Sequence, residues 1–264
     1  MALEEIYVFK VGGNVIEDTT KLHDFLNSFA QLSARKVLIH GGGKVATKMA
    51  AEMGVEAQMI EGRRITDAAM LDIVTMAYGG KVNKNITAKL LSLNQKAVGI
   101  SGFDGGLLLS TKRPIKNGID YGFVGDISEA NSALIKVLTD ASFIPVIAPL
   151  TMDSAGQILN TNADTIASAV ATILSETYTV RLVYVFELAG VMGDLNDETT
   201  LIKHISQANY SNLKEAGVIK DGMIPKLDNS FQAIEKGVAE VSIIHYSKIN
   251  ELNNRTFDGY TRIQ

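Results

Sequence analysis

The chain contains no cysteine. Disulfides, thiolate catalysis and cysteine-ligated metal sites are therefore excluded, and the composition suits a reducing compartment. No block of lysine and arginine runs along the sequence, and the formal net charge is −4. This argues against the electrostatic footprint of a nucleic-acid-binding protein. It does not argue against small anions, which respond to local rather than total charge. No apolar run approaches the ~18 residues of a membrane-spanning helix. The opening Met1-Ala2-Leu3-Glu4-Glu5 carries acid where a secretory leader carries base. The histidines His23, His40, His204 and His245 show no metal-ligand spacing, and no serine–histidine–acid order stands out. The expectation is a cytoplasmic protein without nucleic-acid or membrane partners.

What is present is a large apolar fraction, 46% of 264 residues, against 20% charged. That supplies a sizeable core in one α/β domain or two small lobes. Strand and helix patterns alternate. Strands are predicted at Ile6–Val11, Lys36–His40, Lys96–Ile100, Phe143–Ile147, Arg181–Phe186 and Val241–His245. Helices are predicted at Thr20–Leu32, Val45–Met53, Thr66–Ala77, Val82–Leu93, Thr165–Leu174 and Ser206–Ala216, with Gly79-Gly80 as a break and Asn162 as a cap. Pro225 fits the first turn of a last helix reaching about Lys236. Such alternation implies parallel strands with helices on both faces. Between them, Leu107–Ser110 and Tyr121–Val124 could pair as a hairpin across Lys116-Asn117-Gly118.

Four stretches carry chemistry. His40-Gly41-Gly42-Gly43-Lys44 follows a strand and opens a helix, where bare N–H groups and the helix dipole make a seat for a carboxylate or phosphate. It is not a P-loop, since Leu38 and Val45 stand where that motif needs glycine and Ser/Thr. A simple glycine-rich turn is the plain alternative. Lys10 with Gly12-Gly13 repeats the device at the carboxyl end of the first strand, the side on which α/β sheets bind ligands. Asn160-Thr161-Asn162-Ala163-Asp164 reads as an N-cap, or as a cap in which Asn160 also donates to a ligand and Asp164 holds ammonium groups. In Asp221-Gly222-Met223-Ile224-Pro225-Lys226, Lys226 falls in a first helical turn, where the dipole disfavours a cation and hints at an anionic partner. Arg64 offers a fork for a carboxylate, although alone it reads equally as a surface pair.

Together these stretches resemble the amino acid kinase family, and within it the N-acetylglutamate kinases. The likeness runs through KVGG (10–13), HGGG (40–43), GRRIT (62–66), SGFDGG (101–106), YGFVGDI (121–127), PVIAPL (145–150), LNTNAD (159–164) and DGMIPK (221–226), in order and nearly end to end. The resemblance implies a three-layer αβα sandwich around an open, mostly parallel sheet, in a single domain over residues 1–264. A lobe of about residues 1–180 would bind the acyl amino acid and dimerise, and one of about 181–264 would bind ATP. It implies transfer of the γ-phosphate of ATP, with Mg²⁺ brought by the nucleotide and not held by protein side chains, to the side-chain carboxylate of N-acetyl-L-glutamate. That is the second step of arginine biosynthesis. Lys10 and Lys226 match the lysines that stabilise the transferring group, and Asp164 the aspartate that orients them. Gly42, Gly43, Arg64 and Asn160 match substrate-binding positions. Gly12, Gly13, Glu187, Gly190, Val191 and Lys220 match positions beside the nucleotide.

A carboxylate nucleophile, with a reference pKa near 4.3, is ionised at neutral pH, so a kinase of this type needs no catalytic histidine. Two departures stand out. Glu187 replaces the Asp or Asn of many relatives, and the Gly259-Tyr260-Thr261-Arg262-Ile263 ending is a weakened form of the usual one. The chain starts directly at its first strand, without the extra N-terminal helix of arginine-inhibited hexamers, which implies a homodimer without arginine feedback. The alternatives are an N-succinyl-L-glutamate kinase and a non-catalytic ATP-binding regulator on the same fold.

Overall fold

A computed structural model describes residues 3–60, 63–195, 197–219 and 223–264. In chain order the strands are β1 (Glu5–Val11), β2 (Arg35–His40), β3 (Met59–Ile60), β4 (Arg63–Arg64), β5 (Ala97–Ser101), β6 (Leu108–Lys112), β7 (Gly125–Ala130), β8 (Ile144–Ala148), β9 (Leu150–Met152), β10 (Ile158–Asn160), β11 (Thr179–Phe186), β12 (His204–Ile205), β13 (Glu240–His245) and β14 (Thr261–Ile263). The helices are α1 (Gly13–Glu17), α2 (Thr19–Gln31), α3 (Gly43–Glu52), α4 (Ala68–Val74), α5 (Asn83–Ser92), α6 (Ala133–Asp140), α7 (Ala163–Leu174), α8 (Gln207–Glu215) and α9 (Met223–Glu235). The chain forms two compact units, one of Met1–Lys36 with Val170–Gln264 and one of Val37–Ala169.

In the first unit the strand order is β12-β14-β13-β11-β1. β1 runs parallel to β11, from Glu5 opposite Thr179 to Val11 opposite Val185, and β11 runs parallel to β13. Their near-continuous buried runs, such as Ile6 to Phe9, are what a sheet covered on both faces requires. Phe9 meets Phe29 of α2 edge-on at 5.1 Å, and Phe29 meets Phe25 at 5.6 Å. Asp18 caps the start of α2, accepting from the Thr20 and Lys21 N–H groups. At its other end the ammonium of Lys36 donates to the carbonyls of Phe29 and Leu32, both at 2.7 Å. A cation at the negative end of the dipole stabilises the stop, and burial pulls the Lys36 pKa down to about 8.

In the second unit β2-β8-β5 are parallel neighbours, and β10-β9-β6-β7 form a separate four-stranded sheet. A cluster of Ala46, Ala50, Met70, Ile73, Val74, Ala77 and Tyr78 packs with Ala148 and Leu150. Two expectations are corrected here. β6 pairs with Gly125–Ala130 rather than Tyr121–Val124. Residues 121–124 instead dock on Thr66 and Asn160 through the bridges Thr66–Gly122 and Val124–Asn160, interactions between distant residues that hairpin spacing does not reveal. The turn itself is where it was predicted, with Asn117 and Gly118 both at positive φ and Lys116 bridged to Ile119. Gly79-Gly80 does not break the helix. Residues Thr75–Val82 form a π-helical segment between α4 and α5, so the chain absorbs the two glycines by widening its turn.

Candidate functional site

In the first unit the glycine turn sits at the carboxyl end of β1. Gly12 is the N-cap of α1, in extended backbone, with no side chain capping the helix. A Cβ built on Gly12 would lie 3.7 Å from the Lys10 ammonium, so the lysine folds back over its own turn. Lys10 stands opposite Tyr184 across the β1–β11 ladder. The Lys226 ammonium lies 4.9 Å from the Tyr184 ring centre and 5.0 Å from that of Phe186. Tyr184 and Phe186 share a face of β11, being two residues apart. The structure thus brings Lys10 and Lys226, 216 positions apart in sequence, to the same aromatic residue at the carboxyl ends of parallel strands. Lys226 is held there through α9. The Tyr210 hydroxyl of α8 donates to Asp228 at 2.7 Å, one turn into that helix, and burial together with this carboxylate pushes the phenol up to about 12.

Glu187, at the end of β11, is clasped by two residues that the sequence reading missed. Asn14 donates to it at 2.7 Å and Lys21 donates to its other oxygen; the Glu187 bond raises the Lys21 pKa. The longer acid thus ties the first turn of α1 and the start of α2 to the strand end. Gly190 and Val191 are pinned from the chain's end. The Thr261 hydroxyl accepts from the Val191 N–H at 2.8 Å and donates to the Ile202 carbonyl at 2.7 Å. A Cβ on Gly190 would come within 2.3 Å of that hydroxyl. Thr261 is fully buried, which gives the altered ending a structural task. Lys220 lies outside the described residues.

In the second unit Gly42 is the N-cap of α3, again without a side-chain cap. Arg64, on β4, is 8% exposed rather than on the surface. Its guanidinium donates to the Gly43 carbonyl and the Thr47 hydroxyl of α3, each at 2.8 Å, and rests on the Met70 sulfur at 3.8 Å. Among the described residues no carboxylate pairs with it. Asn160 joins this group through Thr66, donating to its hydroxyl at 3.0 Å. Gly122 lets the chain close over Thr66: it sits at φ +71°, and a Cβ there would lie 2.2 Å from the Thr66 carbonyl oxygen. Asp164 lies in the first turn of α7, whose first N–H groups are capped by Asn162 as expected, at 2.8 Å from Asp164 and 3.2 Å from Thr165. His40 is fully buried, and burial pulls its pKa down to about 4, consistent with packing and not titration near neutrality.

A pocket of about 460 Å³ in the first unit lies away from that unit's own glycine turn. It is lined at the amino ends of β1, β11 and β13 by Glu5, Tyr7, Arg181 and Glu240. Arg181 bridges Glu5 and Glu240 there at 2.7 Å each. Among the described residues no group of three or more His, Cys, Asp or Glu is placed to hold a metal, and no helix is long and apolar enough to cross a membrane.

The sequence pattern of the amino acid kinase family matches residues 5–245. An acetylglutamate kinase of Cytophaga hutchinsonii is 51% identical over 252 residues, covering 96% of each chain. The crystal structure of smu.665 from Streptococcus mutans superposes with a TM-score of 0.75 at 26% identity, covering 98% of each chain. Carbamate kinase from Giardia lamblia bound to AMP-PNP superposes with a TM-score of 0.69, covering all of this chain and 99% of its own, and at 14% identity shows the fold alone. Parallel strands ending in two glycine turns, a family pattern spanning the chain and a close full-length relative lead to one conclusion: the protein belongs to the amino acid kinase family and is a kinase.

Proposed function

We propose that the enzyme transfers the γ-phosphate of ATP to the side-chain carboxylate of N-acetyl-L-glutamate, giving an acyl phosphate and ADP in the second step of arginine biosynthesis. The observation that carries this reading is the meeting of Lys10 and Lys226 at Tyr184, beside an uncapped glycine turn. Two ammonium groups and bare N–H donors are what a polyphosphate asks of a protein. In the second unit, a buried guanidinium with no carboxylate partner among the described residues supports recognition of an anionic amino acid.

The chemistry needs no general base. A carboxylate oxygen attacks the γ-phosphorus, the bond from that phosphorus to the bridging oxygen breaks, and ADP departs with the electron pair. No proton moves. What remains is to bring two anions together and spread the charge of the transition state. Lys10 and Lys226 take that task, and Gly12-Gly13 let the backbone approach the phosphates. Gly42-Gly43, Arg64 and Asn160 hold the amino acid, and Asp164 serves as an organiser of ammonium groups. Glu187, Gly190, Val191 and Lys220 flank the nucleotide, and Mg²⁺ enters as the ATP complex. We place the enzyme in the cytoplasm as a homodimer.

An acyl-phosphate trap with hydroxylamine tests the reading, using ATP, Mg²⁺ and, separately, N-acetyl-L-glutamate, N-succinyl-L-glutamate, glutamate and aspartate. Hydroxamate from N-acetyl-L-glutamate is expected. Product from the succinyl acid alone would reassign the acyl group. ATP binding without product from any acid would overturn catalysis in favour of a regulator.

A further inference from the structure

One buried aromatic beside the second glycine turn has no place in the chemistry above. Tyr78 belongs to the π-helical segment Thr75–Val82 and is 5% exposed. Its ring is pressed on the glycine turn: a Cβ on Gly42 would lie 2.8 Å from Cδ1 and 3.1 Å from Cε1. Its hydroxyl lies near enough to the Arg64 guanidinium to feel that charge, although burial outweighs the cation and leaves the phenol pKa raised. Tyr78 therefore packs on the turn and sits beside the guanidinium, the two parts of the anion seat.

The wide turn explains how one helix reaches the seat twice. Asn83 follows Tyr78 by five residues and its N–H bonds to the Tyr78 carbonyl. In an α-helix residues five apart point about 140° away from each other; a π-turn winds more residues per turn and swings them toward one side. The Asn83 amide donates to His40 Nε2 at 3.1 Å, and His40 Nδ1 lies 2.7 Å from the Gly41 carbonyl. With Nε2 accepting, the ring is protonated on Nδ1 and donates to that carbonyl. Gly41 is thus braced through Asn83 and His40, and Gly42 through Tyr78. Widened turns of this kind recur at functional sites.

We propose that the π-helical segment is a positioning device for the anion seat, with Tyr78 as a positioning residue. It holds the Arg64 guanidinium against the glycine turn, and so sets affinity for the amino acid substrate without touching the reacting atoms. This rests on the reading that Arg64 binds a substrate carboxylate.

The test is steady-state kinetics of Tyr78→Phe, Tyr78→Leu and Arg64→Lys, varying N-acetyl-L-glutamate and ATP in turn. Removing the hydroxyl beside the guanidinium should raise the KM for N-acetyl-L-glutamate in Tyr78→Phe by about 5–10-fold, the scale of one ordinary polar interaction, with kcat and the KM for ATP within about twofold. Tyr78→Leu, which also removes the ring from Gly42, should raise it further. Adding Tyr78→Phe to Arg64→Lys should do little more than Arg64→Lys alone, because both act through one contact. An unchanged KM in Tyr78→Phe and Tyr78→Leu, or equal rises for both substrates, would overturn the role of Tyr78 even where Arg64→Lys is impaired. An unimpaired Arg64→Lys would instead remove the seat itself, and this proposal with it.

Discussion

The two glycine turns begin alike and are finished differently. Each follows a buried strand and opens a helix that no side chain caps. The first draws its cation from its own strand: Lys10 precedes Gly12 by two residues and folds back over it. The second borrows its cation from Arg64, 21 residues downstream, and is backed by Tyr78 and by His40 with Asn83. A flexible lysine over an open turn can follow a phosphate as it moves. A clamped guanidinium against a braced turn favours one fixed ligand geometry, since less side-chain freedom is lost on binding.

The largest effect should come from the open turn. Lys10→Ala and Lys226→Ala should each fold normally and lose roughly 10²-fold or more in kcat, the scale of removing one preorganised electrostatic contact. Turnover of the purified variants, with thermal melting to confirm the fold, decides the matter. Wild-type turnover in both would break the contrast, because the first turn would then have no cation that matters.

The difference in construction also explains what could be read in advance. Lys10, Gly12 and Gly13 were legible because strand, cation and turn are contiguous. The parallel strands were legible because both-face burial leaves unbroken apolar runs. The burial of Arg64 was not, since its partners Gly43, Thr47 and Met70 come from other elements. Nor was the packing of Tyr78 on Gly42, because Gly79-Gly80 has the local signature of a break and only packing turns it into a widened helix. Asn14, Lys21 and Thr261 were missed for the same reason: Asn14 and Lys21 reach Glu187, and Thr261 reaches Val191, across at least 70 positions of sequence.

The brace of the second turn should show itself in acid. The imidazole of His40 titrates at about 4 in the fold, against 6.5 for an ordinary histidine. Between those values the unfolded chain binds more protons than the folded one, so stability rises with pH across the window and levels off above it. At about 1.4 kcal/mol for each pH unit, the His40 contribution is about 3 kcal/mol, lost as pH falls from 6.5 to 4. Denaturant melts of the wild type and of His40→Gln at several pH values should show this slope in the first and a flatter one in the second. Equal slopes would mean that His40 is not held neutral against Gly41.

A smaller but more direct comparison sets Gly12→Ala beside Gly42→Ala. At Gly12 the backbone is extended, at φ −87° and ψ 171°, and the new methyl would meet the tip of a flexible lysine at an ordinary 3.7 Å. Stability should change by less than about 0.5 kcal/mol. At Gly42 the methyl would meet a buried ring at 2.8 Å, and overpacking of that kind costs about 1–3 kcal/mol. Urea melts of the two variants should therefore separate, with Gly42→Ala the weaker. Adding Tyr78→Leu should recover part of the loss in Gly42→Ala, because a smaller side chain makes room, and should recover nothing in Gly12→Ala. Equal losses in both single variants would show that the second turn is as open as the first, and that its cation alone distinguishes it.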